Sequence, residues 1–131
     1  MSTPPPGTFL YHELLTTDVE GGRRFYAELF GWEAEASALQ PADGSTYYVL
    51  RHQGREQAGL MRLPAAAEAA GVRPHWLPYV AVASVDDTAE RVTALGGQVV
   101  VPPADIPGIG RYVVFTDPAG ATIAAFELPS S

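Results

Sequence analysis

The chain has 131 residues, of which 47% are hydrophobic and 18% charged, and this composition indicates a globular domain. A formal net charge of −7 disfavours binding to nucleic acid or to anionic membrane surfaces, and the lack of cysteine excludes disulfides, a thiolate nucleophile and cysteine-ligated zinc. No apolar run is long enough to span a membrane and the first residues lack the features of a signal peptide, so we expect a cytoplasmic protein.

The first half of the chain predicts a strand, a helix and three further strands. Residues 9–16 form an apolar-rich strand, and Asp18 can N-cap the next helix because its carboxylate accepts from the amides of the first turn. Gly31 suits a left-handed cap at the end of that helix. The helix carries an apolar stripe that we expect in the core, namely Val19, Phe25, Tyr26, Leu29 and Phe30. The later strands are predicted at residues 32–38, 46–51 and 57–63, with turns at Asp43-Gly44 and at residues 51–56.

The second half repeats this pattern at a shift of 66 residues, which carries Val19 to Val85 and Gly31 to Gly97. A strand at 76–83 precedes a helix that is capped by Ser84 or Asp86 and ends at Gly96-Gly97. The remaining strands are predicted at residues 98–101, 110–116 and 121–128, and Asp117 to Gly120 form a four-residue turn. The glycines and proline of residues 104–110 suit either a lid or, as we prefer, an ordinary hairpin connection.

The repeat defines the organisation of the chain. We expect one domain over residues 1–131, with module 1 at about 8–63, a connector at 64–75 that can hold one helical turn, and module 2 at about 76–129. The fold class is α+β: two βαβββ modules combine their sheets into a curved mixed trough with the helices on the convex side. The trough is then the natural place for a ligand.

The sequence resembles the glyoxalase/bleomycin-resistance/dioxygenase family, also called the vicinal oxygen chelate superfamily. Three segments carry the resemblance: residues 16–32, with the motif Phe25-Tyr-Ala-Glu-Leu-Phe-Gly-Trp32, residues 80–97, and Asp117-Pro-Ala-Gly120. The resemblance implies paired βαβββ modules and, in many members, homodimers. It also implies a small-molecule ligand, since members include metal-dependent isomerases, lyases and dioxygenases as well as metal-free antibiotic-binding proteins.

Metal-using members place His or Glu ligands near the start of the first strand and the end of the last strand of each module. The matching positions in this sequence hold Tyr11, Ala58, Leu77 and Ala124. Two methyl groups and a leucine cannot bind a cation, so we expect no metal and no other cofactor. A displaced divalent-metal site near His12, Glu13, His75 or Glu127 stays open but is disfavoured. His12 and Glu127 face away by strand alternation, His75 precedes its strand, and His52 sits in a turn.

Strand alternation predicts an aromatic and mostly apolar trough lining that suits a flat organic molecule. Pairing Thr116 with Ala121 across the turn puts Val113 opposite Ala124 and Arg111 opposite Phe126, and the repeat transfers this parity to Tyr47 and Val49. The ligand-binding candidates are therefore Tyr11, Glu13, Tyr47, Leu77, Tyr79, Arg111, Val113 and Phe126. The tyrosines suit a role in the core equally well.

Glu13 is the candidate catalytic residue. Apolar surroundings would raise its pKa toward the range of a general base, whereas pairing with Arg111 would lower it. A simpler interpretation is a structural acid that pairs with Arg111 or accepts a hydrogen bond from a tyrosine.

Four functions remain open. The first is a metal-free protein that binds a small aromatic or antibiotic-like molecule. The second is a metal-free isomerase, cyclase or lyase that uses Glu13 as general base, and the third, which we favour less, is a metal-dependent lyase or dioxygenase. The fourth is a dimerisation module whose trough is vestigial.

Overall fold

A computed structural model describes residues 4–38, 41, 44–106 and 109–129. These residues form eight strands and three helices, which confirms the predicted α+β class. In chain order the elements are β1 (Phe9–Thr16), α1 (Val19–Phe30), β2 (Glu33–Ala36), β3 (Tyr48–His52), β4 (Arg55–Arg62), α2 (Ala65–Ala69), β5 (His75–Ala81), α3 (Val85–Ala94), β6 (Gln98–Ile106), β7 (Gly110–Thr116) and β8 (Thr122–Glu127). No helix among the described residues is both long and apolar enough to cross a membrane.

The chain divides into two compact units. The first unit is Tyr11–Trp76, and the second runs from Leu77 onward and includes the N-terminal segment up to Leu10. That segment belongs to the second unit because Gly7 donates a backbone hydrogen bond to Ala81 at 2.8 Å and Ala81 donates one to Thr8 at 2.8 Å. The organisation of residues 1–131 as one domain, with module boundaries near 63 and 76, stays a prediction.

The first unit has the strand order β2-β3-β4-β1, in which β1 runs parallel to β4 and the other neighbours are antiparallel. A buried cluster forms the face of this sheet toward α1 and consists of Leu14, Leu50, Ala58 and Leu60, with Val19 and Tyr26 of the helix packed against it. The caps of α1 are as predicted. Asp18 Oδ1 accepts from the Gly21 N–H at 2.9 Å, and Gly31 is left-handed with φ 75°.

The second unit has the order β5-β8-β7-β6, with β5 parallel to β8. Val85 of α3 is buried together with Val113 and Ala125 of the sheet. Ser84, and not Asp86, caps this helix, because its Oγ accepts from the Asp87 N–H at 3.2 Å. Glu127 Oε1 also accepts from the Val85 N–H at 2.9 Å. Glu127 therefore faces α3, as the alternation of β8 predicts.

The predicted register of the hairpin β7–β8 is wrong by one residue. Thr116 pairs with Thr122 and not with Ala121, because the loop spans five residues and closes with a hydrogen bond of 2.8 Å from the Asp117 N–H to the Ala121 carbonyl. Val113 therefore lies opposite Ala125, and Arg111 lies opposite Glu127. A one-residue slip in register moves a side chain to the other face of the sheet, so both residues lie on the α3 face.

The segment from the helix N-cap to the left-handed glycine is one residue shorter in the second module than in the first, so the shift of 66 residues does not hold along the whole repeat. The N-caps Asp18 and Ser84 keep the shift of 66, but the left-handed glycine after α3 is Gly96, with φ 93°, and not Gly97. The strands that follow α3 are therefore offset by one residue from the alignment made on sequence.

The apolar stripe of α1 is not all core, which corrects the prediction. Tyr26 packs on the sheet, but Phe25, Leu29 and Phe30 are 57%, 57% and 50% exposed. The helix carries apolar residues on two sides, and in this chain only one side meets the sheet. Asp43, assigned to a turn, lies outside the described residues.

Candidate functional site

A buried acid and a tyrosine face each other on the first unit. Glu13 of β1 is 5% exposed, and Tyr47, directly before β3, donates a hydrogen bond from its hydroxyl to Glu13 Oε2 at 2.8 Å. The two residues are 34 positions apart in the chain. The expectation that Glu13 accepts a hydrogen bond from a tyrosine is therefore confirmed.

The strand register explains why the two side chains meet. Glu13 is paired with Gly59 of β4, and Gly59 is paired in turn with Val49 of β3. Leu14, Ala58 and Leu50, one position away on each strand, point to α1. Alternation therefore puts Tyr11, Glu13, Tyr47 and Val49 on the opposite face, as predicted. Gly59 was missed on sequence, although a glycine inside a strand is typical of a close approach by another group.

Tyr47 stays protonated over a wide range of pH. Burial raises the pKa of its hydroxyl far above the usual value, and the negative charge of Glu13 and the hydrogen bond to it raise the pKa further. Tyr11 and Glu56 make smaller contributions in the same direction. The Tyr47 hydroxyl is therefore held as the donor, and Glu13 as the acceptor.

The second unit has an apolar, partly aromatic face of its own. Tyr79, 6% exposed, meets Phe126 edge-on with ring centroids 6.3 Å apart, and Leu77 is buried on the same side of β5. Tyr79 pairs with Ala124 of β8, which places these residues away from α3. The predicted orientation of Leu77, Tyr79 and Phe126 is therefore right. The corrected register adds Tyr112 and Val114, which the sequence analysis did not select.

Arg111 and Val113 do not share that face. Arg111 donates to Asp86 Oδ1 and Oδ2 at 2.9 and 3.0 Å and to Asp105 Oδ1 at 3.0 Å. The hydrogen bond from Arg111 holds the pKa of Asp86 below its usual value, and both acids raise the pKa of Arg111. Arg111 thus ties the start of α3 to β6 and β7, while Val113 is a core residue with 0% exposure.

The four positions that hold metal ligands in metal-using relatives do not fit a divalent cation here. Ala58 lies in the helix-facing cluster, while Leu77 and Ala124 are buried side chains without a donor atom. Tyr11 is the one oxygen donor of the four, and a single phenol is a poor ligand set. The described residues contain no group of three His, Cys, Asp or Glu side chains that could hold a metal ion.

The histidines are dispersed. His12 is exposed, and His75 begins β5 with its Nδ1 2.7 Å from the Arg73 carbonyl. His52 is the last residue of β3 and not part of a turn, which corrects the sequence assignment.

Comparison with known proteins assigns the family. Residues 8–125 match the Glyoxalase/Bleomycin resistance protein/Dioxygenase superfamily, and the chain belongs to it. Its relatives include "Putative glyoxylase CFP32" of Mycobacterium bovis, 38% identical over 92% of this chain and 44% of the relative. Another is the anthracycline biosynthesis protein DnrV of Streptomyces peucetius, 33% identical over 93% of this chain and 47% of the relative. The chain thus spans less than half the length of these curated relatives.

Solved structures show the same fold. Methylmalonyl-CoA epimerase from Mycobacterium tuberculosis aligns with a TM-score of 0.63 over 99% of this chain and 93% of the epimerase. At 15% sequence identity this likeness establishes the fold and not the activity.

Proposed function

We propose that the protein binds a small aromatic or antibiotic-like molecule through the sheet face that carries Glu13 and Tyr47. The hydrogen bond between the Tyr47 hydroxyl and the buried Glu13 carboxyl carries the proposal, because it sets polar groups on the same sheet face as Tyr11 and Val49. Tyr11 lies on the same face and offers a ring for stacking. The relatives named for anthracycline biosynthesis support a polycyclic aromatic ligand.

The charge of the site favours neutral or cationic ligands. Tyr47 keeps its proton, so Glu13 is the acceptor of the pair, and a ligand hydroxyl or amine is the group that best complements a carboxylate. The net charge of −7 adds a repulsion against anionic molecules. We therefore expect polyphenols or amino-sugar conjugates to bind in preference to acyl-coenzyme A esters.

We also propose that the protein functions without a bound metal ion and that it is cytoplasmic. The alanines and leucine at the positions of the family's ligands support this, because they offer no lone pair to a cation. Elemental analysis of the purified protein tests it. Zinc, nickel, manganese or iron at one ion per chain, retained through gel filtration, would reject the metal-free function and favour the metal-dependent lyase or dioxygenase.

Calorimetric titration with planar antibiotics and aromatic metabolites tests the binding function. We expect saturable binding that Glu13→Gln and Tyr47→Phe each weaken. Tyr48→Phe is the matched control, because Tyr48 is the next residue, packs against the helix-facing cluster and keeps its ring under Arg23. Equal affinities for the wild type, Glu13→Gln and Tyr47→Phe would place the ligand elsewhere.

A metal-free enzyme is the second candidate, and the burial of Glu13 favours it. An acid that is 5% exposed and held by a tyrosine is in a setting suited to proton transfer in an isomerisation, cyclisation or elimination. Here Glu13 would take a proton from the substrate while Tyr47 holds the carboxyl in place. Glu13→Gln should then abolish turnover and retain binding, and full activity in that variant would reject this role.

A second copy of the chain is the proposed partner for the exposed side of α1. Phe25, Leu29 and Phe30 are each at least half exposed, and Phe25 and Phe30 lie next to Tyr26 in an aromatic cluster. Light scattering should give twice the chain mass. Leu29→Glu should give monomers, and Leu95→Glu, at the exposed residue directly after α3, should not. A monomeric wild type would reject the homodimer.

A further inference from the structure

A glycine lies directly beneath the hydroxyl of Tyr47. Gly59 is buried in the middle of β4, in register with Glu13 on one side and Val49 on the other. A β carbon added at Gly59 would overlap the Tyr47 hydroxyl oxygen and lie 2.6 Å from Cζ and 3.2 Å from Cε1. Because Cβ contacts below 3.0 Å essentially do not occur, any other residue at this position would force the Tyr47 ring to move.

The backbone does not explain this glycine. Gly59 is absent from the glycines with positive φ, so an L-residue could adopt its strand conformation. Gly97 and Gly110 are also crowded, but their closest neighbours are backbone oxygens, of Thr116 and Glu127, each 2.5 Å from the added β carbon. At Gly59 all three of the nearest atoms belong to the side chain of Tyr47. The space above Gly59 is therefore filled by one residue, and that residue holds Glu13.

We propose that Gly59 is a positioning residue, which sets the Tyr47 hydroxyl on Glu13 by leaving room for it. The effect of Gly59 on ligand binding rests on the proposed function, whereas its effect on the position of Tyr47 does not. A residue with a β carbon at position 59 displaces the Tyr47 hydroxyl from Glu13 Oε2, and the carboxyl loses its fixed donor.

Carbon-13 labelling of the tyrosine Cζ atoms tests the geometry without a ligand. The Tyr47 resonance is the one that disappears in Tyr47→Phe. In the wild type it should titrate far above an ordinary tyrosine, and in Gly59→Ala its pKa should fall toward the usual value of about 10, because the ring leaves its buried place beside Glu13. An unchanged Tyr47 titration in folded Gly59→Ala would overturn the proposal.

Gly22→Ala is the matched control. Its added β carbon would lie 3.5 Å from Leu14 Cδ2, an ordinary contact, on the helix-facing side of the sheet. This substitution should leave the Tyr47 resonance and its titration as in the wild type. A change of the same size in Gly22→Ala would show that the resonance follows general loosening of the unit, and would overturn the assignment to Gly59.

A second pair of variants covers the case in which Gly59→Ala does not fold. In a Tyr47→Ala background the ring is gone, so adding Gly59→Ala should cause no further loss of thermal stability. A further loss of thermal stability on adding Gly59→Ala to Tyr47→Ala would overturn the proposal. Where a ligand has been found, Gly59→Ala should lower its affinity as much as Tyr47→Phe does, by about tenfold or more. The double variant that combines Gly59→Ala with Tyr47→Phe should bind the ligand no more weakly than either single variant. If no ligand binds but the resonance shifts as expected, the proposed function fails and the positioning role stands.

Discussion

Removing the Tyr47 hydroxyl should destabilise the protein in a way that depends on pH. Tyr47→Phe deletes a hydrogen bond of 2.8 Å to a carboxyl group that is 5% exposed. Hydrogen bonds to charged groups contribute about 1.5–3 kcal/mol, so we expect the free energy of unfolding to fall by about 2 kcal/mol at neutral pH.

The raised pKa of Tyr47 fixes the sign of the pH dependence. Tyr47 keeps its proton in the folded state, while in the unfolded chain it ionises above a pH of about 10, where the unfolded state therefore binds fewer protons. The contribution of Tyr47 to stability is complete below that pH and is lost above it by about 1.4 kcal/mol per pH unit. Tyr47→Phe has no such loss, so at a pH of about 11 the difference between wild type and variant should shrink to below about 1 kcal/mol.

Urea unfolding followed by tryptophan fluorescence at a series of pH values measures this difference. Tyr48→Phe removes a neighbouring hydroxyl from the helix-facing side and should show neither the loss at neutral pH nor the convergence in base. A Tyr47→Phe deficit that stays constant through the alkaline range would refute the reasoning, since it would mean that the hydroxyl is not buried against Glu13.

Three further predictions concern the stability of each unit outside the Glu13–Tyr47 pair. Asp86→Asn should lower stability at neutral pH, and the difference from wild type should vanish in acid. The pKa of Asp86 is lowered by Arg111, so its contribution is present above the ordinary aspartate pKa and lost as pH falls through the lowered one; acid-titrated unfolding measures this. Leu60→Ala, at a position with 0% exposure, should cost about 2–5 kcal/mol in urea unfolding, whereas a cost below 1 kcal/mol would contradict the first-unit core. Gly31→Ala should cost about 1–2 kcal/mol because its φ is 75°, and Gly22→Ala, inside the same helix, should be neutral or stabilising by thermal melting.

The order of elements could be predicted because it depends on local signals. Asp18 and Gly31 bracket α1 with an N-cap and a left-handed cap, and the structure begins and ends that helix where they indicate. The strands β1 and β7 also have their predicted bounds. Apolar alternation and turn residues need no knowledge of the rest of the chain, so one sequence was enough.

Pairing across the sheet was harder, because one residue changes the face of a side chain. The loop after Thr116 has five residues and not four, which moved Arg111 and Val113 to the α3 face. The second module is also one residue shorter between the N-cap of its helix and the left-handed glycine that follows the helix. The orientation of Tyr47 and Val49 was inferred from both the wrong β7–β8 register and the wrong repeat shift. Each error reverses the predicted face once, so together they leave the orientation of these two residues correct.

The fate of the α1 stripe shows a different limit. Periodicity identifies which residues of a helix are apolar, but it does not say what covers them. Tyr26 meets the sheet, whereas Phe25 and Leu29 are more than half exposed in this chain. Nothing local distinguishes these residues, because the distinction depends on the width of the sheet face and on any second surface that meets the helix.

The Glu13–Tyr47 pair depends both on local sequence and on the register of neighbouring strands. Glu13 is 5% exposed, and Tyr47 reaches it across β4, which has no side chain at Gly59 to obstruct the ring. A sequence reader can select Glu13 as an unusual acid in an apolar strand, but its partner is defined by a register of three strands. Gly59 is the sequence signal that connects Glu13 with Tyr47, because the lack of a side chain leaves room for the Tyr47 ring. This role can be recognised only when the register of the three strands is known. Stability alone does not explain Glu13, Tyr47 and Gly59 at neighbouring positions of the first unit. Apolar residues at these positions would pack without the free-energy cost of burying polar groups.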